Sequence, residues 1–118
     1  MKYIKTFEEG WFNEIEDKPK SEPQIGDYIL LNLKGFGDKD MRKFLDNNIG
    51  QLISYESEFN KRVYKISYDS DAIPYDLKPY FNFKNDIFSV GFRLSTLEYW
   101  SKDKKDVERY LEAKKYNL

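Results

Sequence analysis

A chain of 118 residues with 20 basic and 21 acidic side chains, net charge −1, is sized for one domain and lacks the cationic excess of a broad, salt-driven nucleic-acid binder. Ten Tyr and nine Phe are more than a disordered chain carries. Neither Cys nor His is present, which removes disulfides, thiol nucleophiles, cysteine-ligated zinc and the usual general base of Ser-His-Asp and Cys-His catalysis.

No apolar run reaches the roughly 18–20 residues that span a bilayer. Met1 to Gly10 carries Lys2 and Lys5 but no following apolar stretch of a secretory signal. These features predict a cytoplasmic protein with no membrane contact. Residues 1–24 read as a separate N-terminal segment, and 25–118 as a single domain. In the segment, Tyr3, Phe7 and Trp11 recur every four residues and predict a short amphipathic turn of helix, interrupted by Gly10. Pro19 and Pro23 then stiffen an extended connector.

The domain opens at Gly26 with a strand over Tyr28 to Leu33, which puts Ile29, Leu31 and Leu33 on one face. Gly35-Phe36-Gly37 breaks it. Asp38 is a suitable N-cap for a helix over Lys39 to Asp46, where Met41, Phe44 and Leu45 fall at helical spacing. Asn47-Asn48 is expected to stop that helix by adopting left-handed backbone geometry. Strands follow at Ile49 to Tyr55 and Arg62 to Tyr68, joined as a hairpin by the polar link Glu56 to Lys61. Asp69 to Tyr80, with Pro74 and Pro79, reads as an irregular loop. Ile87 to Leu94 is a fourth strand with Phe88, Val90, Phe92 and Leu94 on one face, and Leu97 to Trp100 a fifth. A helix from Asp103 to Tyr116, capped by Ser101 or Asp103, closes the chain with a narrow apolar stripe of Val107, Tyr110 and Leu111. Trp100 is expected to be buried in the corner where this helix meets the strands.

The runs Gly26-Asp27-Tyr28-Ile29-Leu30, Ile49-Gly50-Gln51-Leu52-Ile53 and Val63-Tyr64-Lys65-Ile66 resemble the SH3-like barrels of the KOW type over residues 26–68. The resemblance implies a mainly β, α+β fold: a small five-stranded SH3-like barrel with a short inserted helix and a C-terminal helix. The stretch from Lys34 to Asn48 departs from that pattern as an insertion, and the basic loops with which such barrels hold RNA are not evident. Separately, Met1-Lys2-Tyr3-Ile4-Lys5-Thr6-Phe7-Glu8-Glu9 resembles the opening of small bacteriophage accessory proteins. That implies action in the host cytoplasm by stoichiometric blocking of a host or defence nucleoprotein.

Sites divide into those with ordinary explanations and those without. Asp69, Asp71 and Asp76 could offer oxygen ligands to a cation, but the calcium-loop spacing fails, and a solvated turn is expected with no metal. Gly35-Phe36-Gly37 lacks the third glycine of a dinucleotide loop. No catalytic residues and no cofactor are expected, so the chain reads as a non-enzymatic protein-binding module. The aromatics of the loop after the third strand are claimed by no strand alternation. Tyr75, Tyr80 and Phe81 are expected to anchor a protein partner, such as a host or viral nucleoprotein complex, with Asp76 and Lys78 in the polar rim. The alternative is a nucleic-acid-binding small barrel that uses Tyr55, Lys61, Arg62 and Lys65, or Lys104 and Lys105 on the final helix, without tight binding to naked duplex DNA. A structural or assembly subunit of a virion is the third reading.

Overall fold

Alternation of Tyr64, Ile66 and Tyr68 against Val63, Lys65 and Ser67 gives a strand with one apolar face, and the sheet is built around it. The computed structural model describes residues 21–35 and 37–116. The amphipathic turn expected near the start and the phage-like opening lie outside them. Among the described residues the order is β1 (Tyr28–Leu31), α1 (Lys39–Asn47), β2 (Gly50–Glu58), β3 (Lys61–Tyr68), β4 (Asn82–Lys84), β5 (Ile87–Arg93), β6 (Leu97–Ser101) and α2 (Lys104–Tyr116). Short 3-10 turns occupy Tyr75–Tyr80 and Leu94–Thr96.

The six strands form one antiparallel sheet in the order β4-β5-β3-β2-β1-β6. The expected β-rich domain with an inserted and a terminal helix is therefore what forms. The sheet is open, however, with β4 and β6 at its edges, and has six strands where five were expected. The added strand, β4, is three residues long and too short to show an alternation of its own.

Two hairpins explain the local geometry. Phe59 and Asn60 both have positive φ, 50° and 65°, and join β2 to β3 directly, so the expected six-residue link shrinks to a two-residue turn. Asn85 and Asp86 do the same between β4 and β5. Gly50 marks a close approach. A Cβ there would run into Ile66 Cγ2 and come within 2.8 Å of Tyr68 Cζ and 2.9 Å of the Ser67 carbonyl.

Both helices have identifiable caps. The Asp38 carboxylate accepts hydrogen bonds from the Asp40 and Met41 amides, as its position predicts. The far end differs from expectation, because Asn48 is extended (φ −128°) rather than left-handed. Instead the Asn47 and Asn48 side-chain amides donate back to the Lys43 and Phe44 carbonyls at 2.7 and 2.8 Å. Asp103 Oδ1 accepts from the Lys105 amide at the start of α2.

The main core lies on the face carrying Ile29, Leu31, Leu52, Tyr64, Ile66, Tyr68 and Val90, covered by Met41, Phe44 and Leu45 of α1. Trp100 joins this core, on the face opposite α2, because it pairs with Ile29 while Tyr99 pairs with Leu30. The helix corner expected for it is taken by Tyr99, whose ring stacks on Tyr110 of α2 at 4.4 Å. Leu30 and Val107, both fully buried, fill the space between β1 and α2. Burial of each contributes about 1.5–3 kcal/mol. Pro23 is also fully buried, and the Trp100 indole donates to the Ser21 carbonyl. Chain from Ser21 onward therefore packs with the domain, ahead of the boundary expected at residue 24.

Candidate functional site

The loop after β3 is folded by its own side chains. Ile73, Leu77 and Phe81 point into the core, with exposures of 4, 5 and 7%. They recur every four residues, and the Tyr75–Tyr80 3-10 turn carries the middle one, Leu77. Pro74 precedes this turn and Pro79 lies inside it, so two φ angles are fixed by covalent structure. Phe81 is thus not the exposed anchor the sequence suggested. Its ring lies edge-on to Phe44 at 6.1 Å, to Tyr68 at 5.9 Å and to Phe88 at 6.4 Å.

With those three residues held inside, their neighbours are displayed. Tyr75 is 85% exposed, Tyr80 57% and Phe83 59%. Phe83 leans on Phe88 at 4.5 Å, and Lys78 Nζ sits 5.6 Å above the Phe88 ring and 3.4 Å from Ser70 Oγ. Asp76 is exposed beside an open groove of about 520 Å³ between the loop and α1. Phe44, Pro74 and Leu77 supply its apolar lining, with Asp40, Lys43 and Asp76 as its charges. The α1 contribution was not anticipated. The only hint of it was that α1 lies within the insertion from Lys34 to Asn48, which must pack somewhere. Asp69 and Asp71 make a local turn in which the Asp71 amide donates to Asp69 Oδ1, and no group of three or more Asp or Glu among the described residues could hold a metal.

The residues of the nucleic-acid alternative do not form one surface. Tyr55 and Arg62 meet at the hairpin end of β2 and β3, where the guanidinium lies 4.7 Å from the Tyr55 ring centre and Arg62 Nη1 donates to Glu22 Oε1 at 2.8 Å. Interaction with the Tyr64 side chain, and then with the Glu22 carboxylate, holds the Arg62 guanidinium above its ordinary pKa. Lys61 shares a groove of about 870 Å³ with Arg62, Phe59, Tyr64, Arg93 and Leu94. Lys65 is on the other face of β3, paired with Glu56 at 3.1 Å. Lys104 and Lys105 begin α2, and Lys104 lines a different cavity with Tyr28 and Gln51. Sequence reasoning missed Phe59 and Arg93 at the hairpin groove. Phe59 was legible only as the single apolar residue of a polar link.

Among the described residues no helix is long and apolar enough to cross a membrane. No family model matches this chain, and neither a curated protein nor a solved structure does.

Proposed function

We propose that this chain is a non-enzymatic protein-binding module whose partner docks on the loop from Asp69 to Phe83 and the adjoining groove of α1. The observation that carries this reading is the division of labour in the loop. Ile73, Leu77 and Phe81 are spent on the core, while Tyr75 and Tyr80 extend into solvent from a backbone fixed by two prolines. A rigid aromatic display loses little conformational entropy on docking, and Tyr is a favoured anchor at interfaces. Asp40, Lys43 and Asp76 give the groove a polar rim around an apolar floor, the usual anatomy of a binding patch.

Kinship with the SH3-like small barrels belongs to the same proposal. The succession of β1, β2, β3 and β5 as neighbours, a 3-10 turn at Leu94–Thr96, and the return of β6 to pair with β1 support it. A role as a phage-encoded inhibitor of a host or defence nucleoprotein rests on the resemblance of residues 1–9 and is the biological form this module is proposed to take.

The test is capture of partners from bacterial lysate, with and without nuclease, by the parent and two double variants. Tyr75→Ala with Tyr80→Ala should weaken capture by at least about 2 kcal/mol. Lys104→Glu with Lys105→Glu should leave it unchanged. If capture disappears with nuclease treatment, or is lost only in the lysine pair, the protein-binding reading fails.

A further inference from the structure

We infer that the groove at the hairpin end of β2 and β3 is a second binding site, which takes an extended acidic peptide segment of a partner protein. The inference does not rest on the loop reading, because the two grooves share no lining residue and lie at opposite ends of β3.

Four observations carry it. First, Arg62 is preorganised: Tyr55 lies under its guanidinium at 4.7 Å, Glu22 already holds Nη1, and a fork so placed suits a carboxylate. Second, the position of a ligand carboxylate is already marked. Glu22 Oε1 sits 2.8 Å from Arg62 Nη1, on a side chain that is 65% exposed and so readily displaced. Third, Lys61 and Arg93 line the same groove beside this point, so three basic side chains converge on it. Fourth, the apolar contacts are set apart from the charges. Phe59 is 93% exposed at the tip and Leu94 41% exposed on the opposite wall. Phe59 also holds φ +50°, a left-handed backbone that a bulky residue rarely adopts.

The occupant is a peptide rather than a single-stranded nucleic acid. A nucleic acid needs several free ring faces on which bases stack and a track of cations beneath the phosphates. Here Tyr64 is buried, the Tyr55 face is covered by Arg62, and Lys65 is turned to the other side of the sheet. What remains is one free aromatic and a compact cationic point, which matches a carboxylate flanked by apolar side chains.

The probes are a terminally capped peptide alternating Glu and Leu, its Lys-Leu counterpart, and an oligothymidylate of like length. Binding is read by nuclear magnetic resonance shifts and fluorescence anisotropy on the full chain. The acidic peptide should shift residues 57–62 and 93–95, weaken as salt rises, and bind about tenfold less well to Arg62→Gln and to Arg93→Gln. Glu22→Gln should bind it roughly two- to fivefold more tightly, since the internal competitor is gone. Tyr75→Ala with Tyr80→Ala should bind it as the parent does. No binding of the acidic peptide, equal binding of the Lys-Leu peptide, or tighter binding of the oligothymidylate at the same residues would each overturn the inference.

Discussion

Tyr68 and Tyr64 stand four residues apart on the same face of β3, yet the protein treats them differently. Around Tyr68, Phe44 at 5.4 Å and Phe81 at 5.9 Å close the sheet, and the hydroxyl is buried with no hydrogen-bond partner among the described residues. Around Tyr64 the neighbour is Tyr55 at 6.0 Å, itself 44% exposed and covered by the Arg62 guanidinium. The first end is sealed by aromatic carbon and the second by a charge in contact with water. A sealed end stabilises the fold and fixes whatever loop seals it. An end covered by charge can exchange that cover for a ligand.

The largest expected effect is at the seal. Phe81→Ala should cost about 3–5 kcal/mol, because three aromatic neighbours are left around a cavity. Chemical denaturation of the variant measures this. A loss under about 1 kcal/mol would mean that the loop does not seal the core. Gly50→Ala should come next, at about 1–3 kcal/mol, since the new methyl meets Ile66 and the Ser67 carbonyl across the hairpin.

Tyr68→Phe should go the other way. A buried hydroxyl without a partner costs about 1–3 kcal/mol, so its removal should leave stability unchanged or raise it at neutral pH. Burial, and then the charge of Asp46, push the Tyr68 pKa well above the ordinary tyrosine value. Its neutral form is therefore favoured in the folded state. The stability linked to this group is complete below about pH 10, where the unfolded chain's tyrosine titrates, and is lost as pH rises above that. Melting curves from pH 8 to 11 should fall less steeply for Tyr68→Phe than for the parent.

The smallest effect belongs to the open end. Phe59→Asn should raise stability by about 0.5 kcal/mol, since Asn adopts the left-handed geometry more readily and no core contact is lost. A loss of 1 kcal/mol or more would show that the Phe59 ring packs on the fold and is not free for a ligand.

Strand alternation made the sheet readable. Ile29, Leu31, Tyr64, Ile66 and Val90 were placed on the correct face because a period of two is unambiguous in runs that long. The cap of α1 and its Met41, Phe44 and Leu45 stripe were equally plain. The loop was misread at Phe81 because Pro74 and Pro79 argued for irregular structure, which hid the four-residue spacing of Ile73, Leu77 and Phe81. Helix α2 could be recognised, but not the face on which it packs: Leu30 alternates to the side that looks exposed until Val107 covers it. The hairpin groove was legible in part. Lys61 and Arg62 were visible as charges, but Glu22 and Arg93 join them only through pairings of distant segments.

The central claim is that one loop separates the residues that hold the fold from the residues it displays. Thermal unfolding of Tyr75→Ala with Tyr80→Ala, run beside Phe81→Ala, tests it most directly. A loss of 1 kcal/mol lowers the melting temperature of a domain near this size by about 4–8 °C. The double tyrosine variant should melt within about 2 °C of the parent while Phe81→Ala falls by about 12 °C or more. A double variant that melts as far below the parent as Phe81→Ala does would show that Tyr75 and Tyr80 belong to the fold, and would contradict the account.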